Sequence, residues 1–195
     1  MMLNKIILAS KSEIRRQILS KNGINFEVEP SNVDEEPVKQ SLVKEGATPE
    51  IISKNLAELK ANKVSLKRID EIVLGADSVI DLEGKIISKP KNRSEALEIL
   101  KKLNGKHHFL ISSVCLSKNG KMIWHYSDKA KLTMKNFEMF ELEDYLAKLT
   151  DKALYAYNVY QIEGPGKDLF LKIEGNENTI MGLPVEKIKE YLKNL

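Results

Sequence analysis

An acid sits in the middle of an apolar run at Ile72-Val73-Leu74-Gly75-Ala76-Asp77-Ser78-Val79-Ile80. Ile72 to Leu74 have the composition of a buried strand, and Val79-Ile80 resume it. An acid placed there either costs stability or does chemistry. Gly75 lets another backbone or a ligand come close. The fold therefore has to present Asp77 at a cleft, and that demand orders the reading of the rest.

Lys5 to Leu8 reads as a short buried strand, and Ala9-Ser10-Lys11-Ser12 turns the chain. Ser12 is a suitable N-cap, with Glu13 in the first turn of a helix whose inner face holds Ile14 and Ile18 and which Gly23 ends. A strand, a Ser-rich turn and a helix N-terminus favour anions, and Arg15 and Arg16 add positive charge there. The same residues also suit an ordinary capped helix with two solvated arginines. Asn25 to Val28 is a second strand. Ser31 to Pro37 is a polar acidic loop; runs of acids are usually solvated, although hard cations bind carboxylates. Thr48-Pro49-Glu50 starts a helix with Ile52, Leu56 and Leu59 on its apolar face and Lys60, Lys63 and Lys67 on it or at its end.

Asp81-Leu82-Glu83-Gly84 joins Val79-Ile80 to Lys85-Ile86-Ile87 as a hairpin. After Lys89-Pro90, Asn92 or Ser94 caps a helix carrying Ala96, Ile99, Leu100 and Leu103, closed by Gly105. His107 and His108 fall in a turn before a strand from Phe109 to Leu116, and no Cys or His stands at ligand spacing from them. Asn119-Gly120 is a hairpin turn, Lys121 to Tyr126 returns, and Ala130 to Met134 adds a further strand. Leu142, Tyr145, Leu146 and Leu149 mark a helix. Gly164-Pro165-Gly166 forces a turn, Leu169 to Ile173 is a strand, and Asn176-Glu177-Asn178 is a polar loop. Val185, Ile188 and Leu192 face inward on a C-terminal helix. Strands and helices mix without strict βαβ alternation, which predicts an α/β protein with a mixed sheet and a cleft.

Composition narrows the partners. A net charge of +3 over 195 residues is too slight for a strongly basic nucleic-acid binder. A single cysteine, Cys115, allows no internal disulfide and suits a reducing cytosol. The apolar stretch after Lys5 is too short for a signal sequence or a membrane span, so the expectation is a cytoplasmic protein with neither membrane nor nucleic acid as partner, and with a homodimer left open. Asp77, the cations Arg15, Lys60 and Lys89, and the acidic loop with Glu35 are together the ingredients for handling a substrate with several phosphates. No Walker loop and no Gly-x-Gly-x-x-Gly turn is present, which disfavours a kinase or a dehydrogenase.

The order of these motifs resembles the Maf family of nucleoside triphosphate pyrophosphatases. The family's opening Leu-Ala-Ser-x-Ser-Pro-(x)-Arg-Arg stands here as Leu8-Ala9-Ser10-Lys11-Ser12-Glu13-Ile14-Arg15-Arg16. Val33-Asp34-Glu35, Leu56-Ala57-Glu58-Leu59-Lys60-Ala61, Gly75-Ala76-Asp77-Ser78, Lys89-Pro90, Leu103-Asn104-Gly105-Lys106-His107-His108 and Asn178-Thr179-Ile180-Met181-Gly182-Leu183-Pro184 follow in the family's order. The likeness runs from about residue 5 to the C-terminus and implies one Maf-like domain over residues 1–195. The implied fold is a two-lobed, ITPase-like α/β fold with an elongated mixed sheet and a cleft between the lobes.

The resemblance implies hydrolysis of a nucleoside triphosphate, modified ones such as 7-methyl-GTP included, to a monophosphate and pyrophosphate. It implies Asp77 as the group that activates water for attack on the α-phosphorus, and Glu35 with Asp77 as holders of Mg2+ or Mn2+. Ser10, Arg15, Lys60 and Lys89 would bind phosphates, while Ile14, Ser78 and Glu163 match the places that set base specificity. Ile14 and Glu163 are similar to the 7-methyl-GTP branch, which implies a guanine-type base. The family's alternative role is regulation of septum formation, by binding a nucleotide with little turnover. Two departures bear on the site: Glu13 replaces the proline of Ser-Pro, and Ala156 replaces a cation, for which Lys152 is a candidate substitute.

Overall fold

A computed structural model describes residues 5–151, 153–154 and 159–195. Ala156 and Lys152 lie outside these residues. Seven strands form one mixed sheet: β1 (Ile6–Leu8), β2 (Phe26–Val28), β3 (Ile72–Leu82), β4 (Lys85–Ile87), β5 (His107–Lys118), β6 (Lys121–Met134) and β7 (Phe170–Glu174). Their order is β2-β1-β3-β5-β6-β7, with β4 on β3. β1 runs parallel to β2 and β3, and every other pair is antiparallel. The helices are α1 (Glu13–Lys21), α2 (Glu35–Lys44), α3 (Pro49–Ser65), α4 (Arg93–Leu103), α5 (Met139–Ala147), α6 (Glu177–Ile180) and α7 (Val185–Lys193). The expected α/β class with a mixed sheet is what the chain forms. Among the described residues, no helix is long and apolar enough to cross a membrane.

β3 organises the molecule. On one side it pairs with β5 from Val73 to Asp81 without a break. On the other side β1 covers only Ile72 to Leu74, and β4 only Ile80 to Leu82. Residues 75–79 are thus left without a strand neighbour on that edge, and this is where the sequence puts Gly75, Asp77 and Ser78. Alternation along the strand sorts the side chains. Leu74 and Ala76 enter one core with β1, α1 and α7; Ile80 and Leu82 enter a second with α4, α5 and the far ends of β5 and β6. Ser78 lies between the two cores on that face, and Asp77 points to the opposite face.

That opposite face is covered by α3. Thr48 accepts a hydrogen bond from the Ile51 backbone N–H and Pro49 opens the helix. Ile52, Ser53, Leu56, Ala57, Lys60, Ala61 and Val64 are all buried along one face of α3, at helical spacing. Gly75 permits the contact. A Cβ there would lie 2.1 Å from the Ala57 carbonyl oxygen and 2.9 Å from Ala61 Cβ.

Four local expectations are revised. β3 does not pause at Gly75–Asp77, because the ladder to β5 is made by backbone groups and is indifferent to the polar side chains. The acidic stretch is a loop only to Asp34; Glu35 and Glu36 form the first turn of α2, where acids suit the helix dipole. His107 and His108 belong to β5 rather than to a turn. Asn176 caps a short helix, α6, instead of opening a polar loop.

Candidate active site

A cleft of about 1230 Å3 opens along the uncovered edge of β3. Ser10, Ile14, Arg15, Glu35, Lys60, Asp77, Ser78, Lys89 and Glu163 all line it. These nine positions come from seven different parts of the chain, and the fold brings together every residue to which the resemblance assigns a role at the site.

At its floor, Asp77 is 6% exposed and Lys60 7%. Lys60 Nζ lies 2.8 Å from Asp77 Oδ1 and 2.9 Å from Glu35 Oε1. One ammonium therefore holds both carboxylates, and this compensates the burial of Asp77 and the partial burial of Glu35. Asp77 Oδ2 is buried with no hydrogen-bond partner in the protein. Burial opposes the charge on Glu35, but Lys60, and beyond it Lys39 and Lys89, prevail and hold its carboxyl below the usual carboxylate range. Lys89 keeps much of its surface in solvent. Its ammonium is nonetheless pressed below the ordinary lysine value, first by desolvation in the cleft and then by Arg15.

Arg15 fills the gap in the sheet edge. Its Nη1 donates to the Ala76 carbonyl at 3.0 Å and to Ser10 Oγ at 3.2 Å. Its Nη2 donates to Ser78 Oγ at 3.2 Å, and its Nε to the Gly182 carbonyl at 2.9 Å. Burial pushes the guanidinium below the ordinary arginine value, with Asp77 and Glu35 opposing. Of its five N–H groups, four have protein acceptors, so Arg15 ties α1, β3 and the Gly182 turn together and has one donor left for a ligand. Ser10, 9% exposed, accepts from the Ser12 backbone N–H as well as from Arg15. Ser12 caps α1, directing the helix N-terminus into the same cleft.

Glu13 is exposed and pairs with Arg16 Nη1 at 3.4 Å. The departure from the family's proline is thereby balanced locally. Glu163, also exposed, accepts from Gln161 Nε2 at 3.2 Å on the opposite wall. Gly166 lets that segment fold tightly, since a Cβ there would come within 2.5 Å of the Gln161 backbone N.

Lys39 and Gln161 are among the cleft residues that escape the sequence reading. Lys39 is four residues beyond Glu35, a helical neighbour legible only once α2 is known to start at Glu35. Gln161 comes from an irregular segment with no periodicity to read. Among the described residues, no three His, Cys, Asp or Glu gather as a set able to hold a metal ion. Glu35 and Asp77 are the two carboxylates within reach of Lys60. They suit a hard divalent ion that takes its remaining ligands from water and phosphate oxygens, and the orphaned Asp77 Oδ2 is a vacant acceptor of the right kind.

The chain matches the model of the Maf-like protein family over residues 5–195. A nucleoside triphosphate pyrophosphatase of Pelagibacter ubique is 72% identical over 98% of this chain and 98% of its own. A 7-methyl-GTP pyrophosphatase of Brucella abortus is 39% identical, over 93% of this chain and 91% of its own. Among solved structures, the Staphylococcus aureus Ham1 protein is 12% identical and aligns with a TM-score of 0.49 over 98% of this chain and 99% of its own. From the full-length match and these identities, the chain belongs to the Maf-like protein family.

Proposed function

We propose that this protein is a nucleoside triphosphate pyrophosphatase, which converts a nucleoside triphosphate and water to a nucleoside monophosphate and pyrophosphate. The observation that carries the reading is the Asp77 carboxylate. Lys60 fixes one oxygen, and the other is buried at the cleft floor with no protein partner. A group held in this way suits a general base. It takes a proton from water as the water oxygen bonds to the α-phosphorus, and the bond to the bridging oxygen breaks to release pyrophosphate. The names of the relatives, at 72% and 39% identity, support the same reaction.

Positioning and charge do the remaining work. The last N–H of Arg15, the N-terminus of α1 and Lys89 would meet phosphate oxygens. Glu35 and Asp77 would hold Mg2+ or Mn2+. A divalent ion bound there would neutralise charge on the leaving pyrophosphate. The solitary Cys115 is buried and free, in keeping with a cytoplasmic site of action. A regulator that binds nucleotide without turnover would use the same cleft, but it gives no reason for the unpartnered oxygen of Asp77.

The test is pyrophosphate release from a panel of triphosphates with Mg2+ or Mn2+. Wild type should turn over, and Asp77→Asn should lose about 10²–10⁴-fold in kcat. Equal rates would remove Asp77 from the role of base.

A further inference from the structure

Between the two cores, a line of hydrogen bonds crosses the sheet that the proposed reaction does not require. Arg15 Nη2 donates to Ser78 Oγ at 3.2 Å. Ser78 Oγ and Ser112 Oγ lie 2.8 Å apart on paired residues of β3 and β5. Ser112 Oγ donates to the Thr179 carbonyl at 2.7 Å. The Thr179 hydroxyl in turn donates to Asp128 Oδ2 at 2.5 Å, which fixes α6 to β6. Ser112 and Thr179 are both 0% exposed, so water does not complete this network at either residue.

Counting protons sets its direction. A carbonyl only accepts, so the single hydroxyl proton of Ser112 goes to Thr179. Ser112 Oγ must then accept from Ser78. A guanidinium only donates, so Ser78 also accepts from Arg15. Ser78 has thus committed its proton and one lone pair, and it keeps one lone pair. It lines the cleft and is only partly buried. Gly182, φ +100°, closes over the same atoms: a Cβ there would stand 3.1 Å from Ser78 Oγ.

We propose that Ser112 is a specificity-positioning residue. By taking the Ser78 proton it makes Ser78 an acceptor only, and so selects for a ligand N–H or O–H at that point of the cleft. Ser112 itself does not line the cleft and acts through Ser78. The proposal rests on the nucleotide reading of the cleft. With Ser112→Ala the Ser78 proton is released, and Ser78 can then donate to a ligand acceptor as well.

The experiment compares kcat/KM for nucleotides that exchange a donor for an acceptor. The pairs are CTP with O4-methyl-UTP and ATP with O6-methyl-ITP, which replace one donor by an acceptor and leave the neighbouring ring nitrogen an acceptor, and each ribonucleotide with its 2′-O-methyl form. The variants are Ser112→Ala and Ser112→Cys, whose thiol keeps a proton for Thr179. A merely structural role would lower both members of a pair equally. The proposal expects Ser112→Ala to raise the acceptor-to-donor ratio about fivefold in at least one pair, with Ser112→Cys nearer wild type. Ratios that stay within about twofold of wild type in every pair, or that move towards the donor, overturn it. A wild type without turnover would defeat the pyrophosphatase reading alone. The same ratios, taken from dissociation constants of the α,β-methylene analogues, then decide the role of Ser112.

Discussion

Lys60 occupies a core-facing position of α3 and ends between two carboxylates. Arg15 and Lys89 add two further cations against Glu35 and Asp77, so these five groups carry an excess of one positive charge before a triphosphate enters. Such a site attracts polyanions of many kinds, and discrimination between bases must come from elsewhere on the wall. We propose Glu163 for it: it is exposed to the cleft, with its carboxylate steadied by Gln161. Two carboxylate oxygens can accept from the N1–H and N2–H2 edge of guanine, whereas uracil offers one donor there. Glu163→Gln keeps the size and exchanges one acceptor for a donor. We expect kcat/KM for GTP relative to UTP to fall roughly tenfold, the value of about one bidentate contact. An unchanged ranking over the triphosphate panel would take Glu163 out of base reading. The residue scale is also where the sequence was most legible: an acid in an apolar run and lysines on a helix are visible as anomalies. That Lys60 joins the buried face of α3 and pairs with Asp77 and Glu35 is not readable from the local pattern, which equally suits a surface lysine. That Arg15 turns most of its donors to the protein is not readable either, because two of its four acceptors are the backbone carbonyls of Ala76 and Gly182, which any sequence supplies.

At the scale of elements, the α3–β3 contact sets the geometry of the floor. Ala57 and Ala61 are small, and Gly75 has no side chain, so helix and strand approach closely enough for Lys60 Nζ to reach Asp77. Gly75→Ala places a methyl against helix backbone, which cannot move aside as a flexible side chain could. We expect a loss of about 1–3 kcal/mol in stability, by urea denaturation. We also expect a fall in kcat under conditions where the variant is fully folded, because α3 must withdraw and carry Lys60 with it. A variant with wild-type stability and wild-type turnover would show that this contact does not set the floor. The sequence gives the close approach at Gly75 but not its partner, which is remote along the chain. Clean periodicity gives α3, α4 and α7 as elements, although the buried face of α3 carries Lys60 and not Leu59. The polar Ser127-Asp128-Lys129 suggests two strands where β6 is one, because its backbone ladder to β5 runs on through these residues.

Among the described residues, two large apolar cores lie on one face of the sheet and two small clusters lie under α3, with the cleft and its polar line where the large cores meet. That arrangement leaves a titratable group deep in the second core. His108 is 1% exposed, packed against Tyr160 and Phe170, with Nε2 2.9 Å from the Tyr160 hydroxyl and Nδ1 unpartnered. Burial, and secondarily His107, lowers its pKa to about 4 from an ordinary 6.5. Tyr160 is itself pushed up by burial and stays neutral, so no charge in the pair rescues an imidazolium. The unfolded chain therefore takes up a proton near pH 6.5 that the folded chain refuses until about pH 4. Stability from this group is complete above pH 6.5 and is lost as pH falls through that window. The full loss is about 3 kcal/mol at most. His108→Gln removes the titration and can keep a hydrogen bond to Tyr160. Urea midpoints taken from pH 7 down to pH 4 should fall more steeply for wild type than for the glutamine variant. Parallel curves would mean that the imidazole is already charged, or already solvated, inside the fold.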